Sequence, residues 1–442
     1  MAQNIIRKLS NDLILRNATT ADTEELIAFN SEIHKDVGED APDEFVAAWV
    51  RDLMTKPHPT TKPSDFIVVV DSKTKRIVSS MNLIPQTWSY EGIEFEVGRP
   101  ELVGTAPEYR RKGLIREQFK VIHKWSSNRG HKMQAITGIP NYYRQFGYEM
   151  CLNLGGSREG HRTNIPKLKK DEDEQFIFRP AKVKDIPFIS DLYQNTVKRS
   201  LISCVRGHEI WKYELVGRSK TASSVWLIIQ STDGESVGFV QHAPKMWNSN
   251  ITVWGYELKP GISYLKVTPS LLRYLEIKGQ EFAKKNEKIE FQGYSFSLGA
   301  SHPVYEALPE RMPRVKKPYT WYIRIPDIAD FIFHIRSVLE KRLSESPACG
   351  YTGDLKICFY KNGLKLVFRN GSLLKIDPYI PEHSEDGDVF FPNLSFLQAV
   401  VGYRTFEELR EIYPDCYAEN DHGRALAKFL FLKKPSDLWM IN

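Results

Sequence analysis

Residues 103–116 decide the fold, and they read Val103-Gly104-Thr105-Ala106-Pro107-Glu108-Tyr109-Arg110-Arg111-Lys112-Gly113-Leu114-Ile115-Arg116. An apolar run ends at Val103, and Pro107 terminates the predicted strand because proline cannot donate to a sheet ladder. After Gly113, apolar residues recur at three- and four-residue spacing, which predicts an amphipathic helix. The stretch therefore predicts a strand, a basic glycine turn and the start of a helix.

The start of this helix is a candidate anion site. Its free backbone N–H groups and the positive end of its dipole attract negative charge. Gly113 lets the backbone approach a ligand closely, and the neighbouring arginines add charge-assisted hydrogen bonds to phosphate oxygens. The pattern alone also fits a solvated basic turn, or a short basic patch for nucleic acid or nuclear import.

A second segment follows the helix and a further apolar run at 132–137, and it reads Gly138-Ile139-Pro140-Asn141-Tyr142-Tyr143-Arg144-Gln145-Phe146-Gly147-Tyr148-Glu149. The basic glycine turn, helix, strand and Tyr-Tyr-Arg-x-Phe-Gly-Tyr segment, in this order, resemble the GNAT acetyltransferases. The resemblance implies an acetyl-coenzyme A site, with the pyrophosphate held by the turn. The cofactor-binding residues implied are Val103, Gly104, Thr105, Arg110, Arg111, Lys112, Gly113, Leu114, Ile115 and Arg116. Ile115 departs from the Gly or Ala usual in the family and matches the Eis (enhanced intracellular survival) branch.

The resemblance also implies an acid and a base. Tyr143 matches the family's general acid beside the thioester sulfur; Tyr142 and Tyr148 are the alternatives, and a packed aromatic is the structural interpretation. An alkyl ammonium has a pKa near ~10.4, so it must lose a proton before it attacks a thioester. In Eis-type enzymes the C-terminal carboxylate serves this purpose, which makes Asn442 the candidate base. A tail packed only for stability is the alternative.

Composition excludes several function classes. The net charge of +6, from 61 basic and 55 acidic residues, is too small to indicate a nucleic-acid partner. No run approaches eighteen apolar residues, and the first residues lack the apolar core of a signal peptide. The five widely spaced cysteines indicate neither a disulfide framework nor a zinc site, and no histidine pair has metal-ligand spacing. We therefore expect a cytoplasmic protein without a membrane partner or a metal.

An internal repeat predicts two tandem copies. Arg16, Ala18 and Asp22 recur as Arg179, Ala181 and Asp185 at one offset, each set before a predicted helix. In the first copy the alternation over 93–97 predicts a half-buried strand, and 98–100 predicts a turn. In the second copy a strand is predicted at 264–269, with a helix directly after it. Because that copy lacks the glycine, the arginine cluster and the Phe-Gly-Tyr segment, we interpret it as degenerate.

The pattern changes again beyond Pro326. One helix over 328–343, three alternating strands and two further helical stretches predict a small α+β domain. The whole order resembles the Eis family, whose third domain is similar to sterol carrier proteins. The fold class expected is therefore α/β with mixed sheets, in three domains: a catalytic GNAT domain (1–165), a degenerate GNAT-like domain (166–326) and a sterol-carrier-like domain (327–442). Lipid binding or a structural role remain open for the third domain, and the resemblance implies a homo-oligomer.

The expected function is acetyl-coenzyme A-dependent N-acetylation of a primary amine on a small molecule or peptide, such as a polyamine, an aminoglycoside or a lysine side chain. The loop after the first helix carries six acids: Glu32, Asp36, Glu39, Asp40, Asp43 and Glu44. These acids favour a cationic amine if they face the cleft, whereas a solvated acidic face implies nothing about the substrate. The rival function is a non-catalytic acyl-coenzyme A or lipid-binding regulator.

Overall fold

The structure is a computed structural model that describes residues 5–9, 12–36, 38–285, 289–383, 385–439 and 441. These residues fold into three β-sheets with helices packed on them. The expected α/β class with mixed sheets is confirmed. Each sheet is largely antiparallel and contains one parallel pair. No helix among the described residues is long and apolar enough to cross a bilayer.

The strands in the described part of the chain, in order, are β1 (Ile5–Lys8), β2 (Leu13–Asn17), β3 (Phe66–Asp71), β4 (Ile77–Tyr90), β5 (Ile93–Thr105), β6 (Met133–Ile136), β7 (Glu149–Leu154), β8 (Ser157–His161), β9 (Phe176–Pro180), β10 (Ile202–Cys204), β11 (Val225–Ser231), β12 (Ser236–His242), β13 (Asn250–Leu258), β14 (Gly293–Phe296), β15 (Arg314–Lys316), β16 (Tyr319–Arg324), β17 (Gly353–Cys358), β18 (Gly363–Arg369), β19 (Ser372–Tyr379) and β20 (Val389–Phe390). The helices are α1 (Thr23–Ile33), α2 (Glu44–Thr55), α3 (Leu114–Asn128), α4 (Ile186–Arg199), α5 (His208–Lys212), α6 (Tyr264–Lys285), α7 (Pro303–Ala307), α8 (Ile328–His334), α9 (Arg336–Ser344), α10 (Ser395–Val400), α11 (Phe406–Ile412) and α12 (Asp421–Leu430).

The first two sheets exchange strands. The first sheet runs β1-β2-β3-β4-β5-β6-β16-β7, with β10 paired to the far end of β4. The second runs β15-β8-β14-β13-β12-β11-β9, and the third runs β19-β18-β17-β20. Strand β16, late in the chain, thus lies between β6 and β7, whereas β8 has moved to the second sheet. Neither sheet is built from one contiguous piece of chain.

The same kind of ion pair joins β2 and β9 to the turns that follow them. Arg16 donates to both carboxylate oxygens of Asp22 at 2.8 and 2.6 Å, and Arg179 does so to Asp185 at 2.7 and 2.8 Å. Each aspartate also accepts an N–H three residues upstream, which shapes the turn before α1 or α4. The residues aligned by sequence therefore adopt the same local structure.

Three predicted elements differ from the structure. Residues 264–269 begin helix α6 instead of forming a strand, and Pro269 lies inside that helix. Residues 98–100 do not turn, because they pair with Leu83–Pro85 of β4 and β5 continues through them to Thr105. The single helix predicted over 328–343 is two helices, α8 and α9, which meet at Ile335.

The first sheet is covered on both faces, and this positions the site. Alternate residues of β3 separate the two cores: Val68 packs with α1 and α2, whereas Val69 packs with α3. The far ends of β4 and β5 extend into a third core, where Phe331 of α8 meets Tyr90 and Phe95 edge-on. The last part of the chain is thereby fixed to the sheet that carries the candidate site.

Candidate active site

A groove opens beside β5 because β5 bulges away from β4 on one side and separates from β6 on the other. Between the Ser80–Gly104 and Asn82–Glu101 pairs, β5 contains one residue more than β4, and Leu102 has φ 52°. This is the geometry of a β-bulge. On its other side β5 pairs with β6 only at Val97 and Gly98. Residues 99–105 therefore have no strand partner on that side, and their backbone groups can bind a ligand.

The basic turn ends at the N-terminus of α3 as the sequence predicts. Arg111 and Gly113 both have positive φ, 62° and 74°, and Gly113 is the N-cap residue. The N–H groups that begin α3 precede the first helix bond, from Glu117 N–H to the Gly113 carbonyl at 3.2 Å. A Cβ added to Gly113 would meet no atom within 4 Å. Open space thus lies over a set of helix-start amides, and this fits an anionic group such as a pyrophosphate.

Nine of the ten residues assigned to the acetyl-coenzyme A site line one cavity of about 1050 Å³. They are Val103, Gly104, Thr105, Arg110, Arg111, Gly113, Leu114, Ile115 and Arg116. The tenth, Lys112, turns its ammonium over the Tyr109 ring at 4.3 Å instead. The Tyr109 hydroxyl donates to Asp71 at 2.7 Å, which anchors the turn to the end of β3.

Tyr143 reaches the same cavity from the short 3₁₀ turn at Tyr142–Phe146. Its ring is buried against Phe119 and Tyr322. No described residue hydrogen-bonds its hydroxyl, which lies 3.6 Å from the place a Gly138 Cβ would take. Burial raises the pKa of Tyr143 well above its ordinary value, and the nearby Glu101 carboxylate raises it further. The hydroxyl therefore keeps its proton at neutral pH.

The two alternative tyrosines differ from Tyr143 in their surroundings. The Tyr148 hydroxyl is in the core, where it lies 3.1 Å from His123 Nε2 and donates to Gln134 at 3.2 Å. Tyr142 lines the cavity edge-on to Tyr143, with the ring centroids 5.3 Å apart. The Tyr148 hydroxyl thus has its hydrogen-bond partners in the core. Tyr142 is the alternative to Tyr143 that lines the cavity.

The opposite end of the cavity lies between α1, α2 and β5, and we name it the acceptor arm. Its lining residues are Ile33, His34, Val46, Trp49, Pro100 and Glu101. Burial holds the pKa of His34 below its ordinary value, against the charge of Asp43. Glu101 forms an ion pair with Arg99 on the same strand.

The six acids of the loop after α1 do not line the cavity. Five of them are exposed and Asp43, which is half-buried, accepts the Val46 N–H at 2.9 Å as the N-cap of α2. The solvated-face interpretation therefore describes this loop. These acids therefore do not select for a cationic substrate.

The last described residues are docked against the first two sheets. Ile441 is fully buried, and its carbonyl accepts from Arg99 at 2.8 Å and from Gln86 at 2.9 Å. The Trp439 carbonyl accepts from Arg206 at 2.8 Å. Asn442, the candidate base, lies outside the described residues. Its neighbour Ile441 is held by the arginine that pairs with Glu101 of the acceptor arm.

The second sheet fills the corresponding groove with its own side chains. Strand β13 pairs with β14 only over Asn250–Val253, after which the two diverge. His302 Nε2 lies 2.9 Å from the Tyr256 carbonyl, and the Tyr305 hydroxyl donates to the Phe296 carbonyl at 2.6 Å. Both side chains are buried. They pack where β13 and β14 separate, whereas the edge of β5 beyond β6 borders the cavity.

The acceptor arm is what the sequence analysis missed. His34 and Trp49 lie at the end of one helix and in the middle of the next, and only the packing of α1 on α2 brings them together. No motif marks them. Glu101 had a usable signal, because it immediately precedes the apolar run that ends at Val103. Among the described residues, no cluster of three or more His, Cys, Asp or Glu side chains could hold a metal ion.

A bulged strand with one open side, a basic turn at a helix start and a tyrosine thus lie around one cavity. Solved structures of N-acyltransferases share the fold over nearly the whole chain. A probable N-acyltransferase from Enterococcus faecalis superposes with a TM-score of 0.63 at 13% identity, covering 97% of this chain and 100% of its own. A GCN5-related N-acetyltransferase from Anabaena variabilis gives 0.62 at 14% identity, covering 96% and 99%. Eis1 from Mycobacterium abscessus gives 0.55 at 13% identity, covering 95% and 98%.

Sequence comparison is specific only for the first part of the chain. Residues 15–151 match the family model described as an acetyltransferase (GNAT) domain. No curated protein matches the sequence significantly. Residues 15–151 are thus similar to the GNAT acetyltransferases, and the chain as a whole shares its fold with Eis1.

Proposed function

We propose that this protein transfers an acetyl group from acetyl-coenzyme A to a primary amine, with one working site per chain. The observation that carries the proposal is that one cavity is lined by the start of α3, by Tyr143 and by the acceptor arm. Polyamines, aminoglycosides and lysine-type amines are the starting classes of acceptor. The acceptor itself is a small molecule or a peptide.

The donor half of the cavity supports acetyl-coenzyme A as cosubstrate. The amides at the start of α3 and the side chains of Arg110, Arg111 and Arg116 would hold its pyrophosphate. The unpaired edge of β5 would hold the pantetheine arm by backbone hydrogen bonds. Bound there, the cosubstrate supplies an activated acetyl group. The filled groove of the second sheet supports a single site.

The chain's own groups supply the proton transfers in this proposal. N–H groups of the open edge of β5 stabilise negative charge that develops on the carbonyl oxygen. Tyr143 donates its proton to the departing sulfur, and its raised pKa keeps that proton in place beforehand. The α-carboxylate of Asn442 remains the proposed base, supported by the burial of Ile441 beside it. The division into 1–165, 166–326 and 327–442, the sterol-carrier likeness of the last part and a homo-oligomer are also proposals.

The test is coenzyme A release with acetyl-coenzyme A and a panel of primary amines. We expect amine-dependent release, and we expect Tyr143→Phe to lower kcat by about 10²-fold or more, the usual contribution of a general acid. The affinity for acetyl-coenzyme A, measured by calorimetry, should not change. Tyr142→Phe and Tyr148→Phe are the matched controls, because each removes one hydroxyl from the same aromatic cluster.

Two outcomes would contradict different parts of the proposal. If Tyr142→Phe has the large effect and Tyr143→Phe does not, the acid is misassigned. If acetyl-coenzyme A binds and no amine in the panel releases coenzyme A, the protein is the non-catalytic regulator instead.

A further inference from the structure

Two consecutive serines of β4, Ser79 and Ser80, hold the part of β5 that borders the cavity. Both are fully buried, and they project to opposite faces of the first sheet because side chains alternate along a strand. Ser79 pairs with Val69, whose face packs on α3, and Ser80 pairs with Val68, whose face packs on α1 and α2. One serine therefore lies beneath each half of the site.

The hydroxyl of Ser79 connects the end of β5 to α3. It donates to the Gly104 carbonyl at 2.7 Å, and its oxygen lies 2.7 Å from Oε1 of Gln118 and 2.9 Å from the Thr105 hydroxyl. Gln118 is fully buried on α3, the helix whose first amides form the candidate anion site. Gly104 and Thr105 line the cavity. A single hydroxyl thus fixes the spacing between the two parts of the donor half.

The hydroxyl of Ser80 connects the bulge of β5 to α1. It is shared between the Leu102 carbonyl at 3.3 Å and Oδ1 of Asn30 at 3.2 Å. Leu102 has φ 52°, and a leucine keeps this conformation only where neighbouring contacts hold it. Asn30 is fully buried on α1, one turn before Ile33 and His34 of the acceptor arm. Ser80 thus joins the bulge to the helix that forms one wall of that arm.

The second copy provides a comparison within the same chain. When strands are matched from the Arg–Asp pair that both copies share, the two serines correspond to Gly238 and Phe239 of β12. Neither residue has a hydroxyl. At the place of Gly104 the second copy has Glu257, whose buried carboxylate bonds to α4. The copy without the two hydroxyls is also the copy whose groove is filled.

We propose that Ser79 and Ser80 are positioning residues with separate roles. Ser79 positions the donor half for acetyl-coenzyme A, and Ser80 positions the bulge and the acceptor arm for the amine. Both are buried beneath the cavity wall, so they act through β5 and its helices rather than by touching a substrate. This proposal rests on the proposed function and adds two residues to it. Small displacements at such a wall matter because the reacting atoms must meet at contact distance.

The test replaces each serine by alanine, which removes one buried oxygen in both variants. For Ser79→Ala we expect the affinity for acetyl-coenzyme A, measured by calorimetry, to fall by about tenfold and kcat to change by less than about threefold. For Ser80→Ala we expect kcat/KM for the amine, at saturating acetyl-coenzyme A, to fall by about tenfold while the affinity for acetyl-coenzyme A is unchanged. Ser89→Ala is the matched control, because this buried serine of β4 accepts the Gly92 N–H at 3.0 Å and does not line the cavity. It should change neither quantity.

Two further variants keep both serines and test the same assignment if an alanine variant is unstable. Gln118→Met and Asn30→Leu each replace a buried amide by an apolar side chain of similar size and so remove a partner of one serine. Gln118→Met should lower the affinity for acetyl-coenzyme A, as Ser79→Ala does. Asn30→Leu should lower kcat/KM for the amine, as Ser80→Ala does.

Each other outcome overturns a stated part of the proposal. Equal losses of affinity and amine turnover in all four variants would indicate general loosening and overturn the separate roles. Native values in both alanine variants would overturn the positioning role altogether. If the native chain binds acetyl-coenzyme A and no amine releases coenzyme A, the proposed function fails together with the role of Ser80. A loss of affinity in Ser79→Ala would in that case still support the role of Ser79.

Discussion

Two tyrosines in corresponding segments, Tyr143 and Tyr305, differ in what their hydroxyls do. Tyr305 donates to the Phe296 carbonyl at 2.6 Å and accepts the Leu298 N–H at 3.0 Å, so its own backbone occupies it. Tyr143 is equally buried, but no described residue takes its hydroxyl, which borders the cavity. The tyrosine hydroxyl that the second copy uses in packing is therefore free of such contacts in the first copy, where it can transfer a proton.

The charge of Asp437, which lies in the tail, depends on pH. Its carboxyl carbon lies 2.9 Å from the place a Gly299 Cβ would take, and the residue faces Arg199 and Glu257. Burial raises the pKa of Asp437 to about 6, against the opposing charge of Arg199 and with support from that of Glu257. Glu257 itself has a lowered pKa and stays ionised. Above pH 6 the folded protein must therefore hold a second carboxylate, half-buried, in this cluster.

We predict that Asp437→Asn stabilises the protein at pH 8 and not at pH 4. A carboxyl whose pKa is higher when folded, about 6 against 3.8, favours folding below pH 4, and that contribution is lost as pH rises through 6. At pH 8 the gain is at most about 3 kcal/mol, since one pKa unit corresponds to about 1.4 kcal/mol. Urea unfolding of both proteins across this range measures it. A stability difference that does not vary with pH would contradict the prediction.

At the scale of elements, α3 offers a matched pair of glycines at its two ends. Gly113 is its N-cap with φ 74°, and Gly130, just beyond its end, has φ 72°. Neither has an atom within 4 Å of an added Cβ. The same substitution at both positions therefore brings the same backbone strain and no clash. Only Gly113 borders the cavity.

We predict that Gly113→Asp lowers acetyl-coenzyme A affinity by about tenfold or more, because it places a carboxylate where the pyrophosphate would bind. Gly130→Asp should keep the native affinity. The helix dipole favours an acid at position 113 and disfavours one at 130, so instability cannot account for a loss confined to Gly113→Asp. Calorimetry reports affinity and stoichiometry together, and we expect one acetyl-coenzyme A per native chain. Two equivalent sites, or an unaffected Gly113→Asp protein, would contradict the assignment.

Elements with a local signal were predictable, and those set by tertiary contacts were not. The β5–turn–α3 unit follows from Pro107, Gly113 and the apolar period after them. Helix α6 is predicted to begin too late because Val267 and Thr268 are β-branched, which favours a strand, and Pro269 disfavours a helix interior. The burial of Val267, Leu271 and Leu275 shows that a packed helical face outweighs the one backbone hydrogen bond that proline removes. The β5 bulge has no signal in the sequence, because leucine is an ordinary strand residue. Nothing in the sequence marks Leu102 for its positive φ of 52°.

At the scale of the whole molecule, the least predictable features join distant parts of the chain. Strand β16 pairs with β6 and β7 across more than a hundred residues of sequence, and no periodicity encodes such a pairing. The acceptor arm likewise depends on contacts between α2 and the segment around 217–219. The sequence indicated the donor half of the site, which one local motif builds. The acceptor half forms only when these distant segments of the chain pack together.

The tail after Leu430 packs against the elements of the first two sheets. The Leu201 N–H donates to the Pro435 carbonyl at 2.8 Å, and the Trp439 ring packs on Tyr193 of α4 and Phe239 of β12. The Trp439 ring also approaches within 2.7 Å of the place a Gly255 Cβ would take. Two residues later the Ile441 carbonyl reaches Arg99 of the first sheet. Packing at Trp439 therefore controls whether Arg99 and its partner Glu101 are held in place at the cavity.

We predict that Trp439→Ala lowers kcat/KM for the amine by about tenfold or more and leaves acetyl-coenzyme A affinity unchanged. Loss of the indole removes the contact that seats the tail, so Arg99 loses the Ile441 carbonyl and Glu101 is less well fixed beside Tyr143. The start of α3 lies on the other side of the cavity and has no contact with the tail among the described residues. Steady-state kinetics with calorimetry, below the unfolding temperature of the variant, measures both quantities. Trp247→Ala at an exposed site is the control. Equal losses of amine turnover and acetyl-coenzyme A affinity would indicate general loosening of the fold, and unchanged turnover would show that the docked tail does not position the acceptor site.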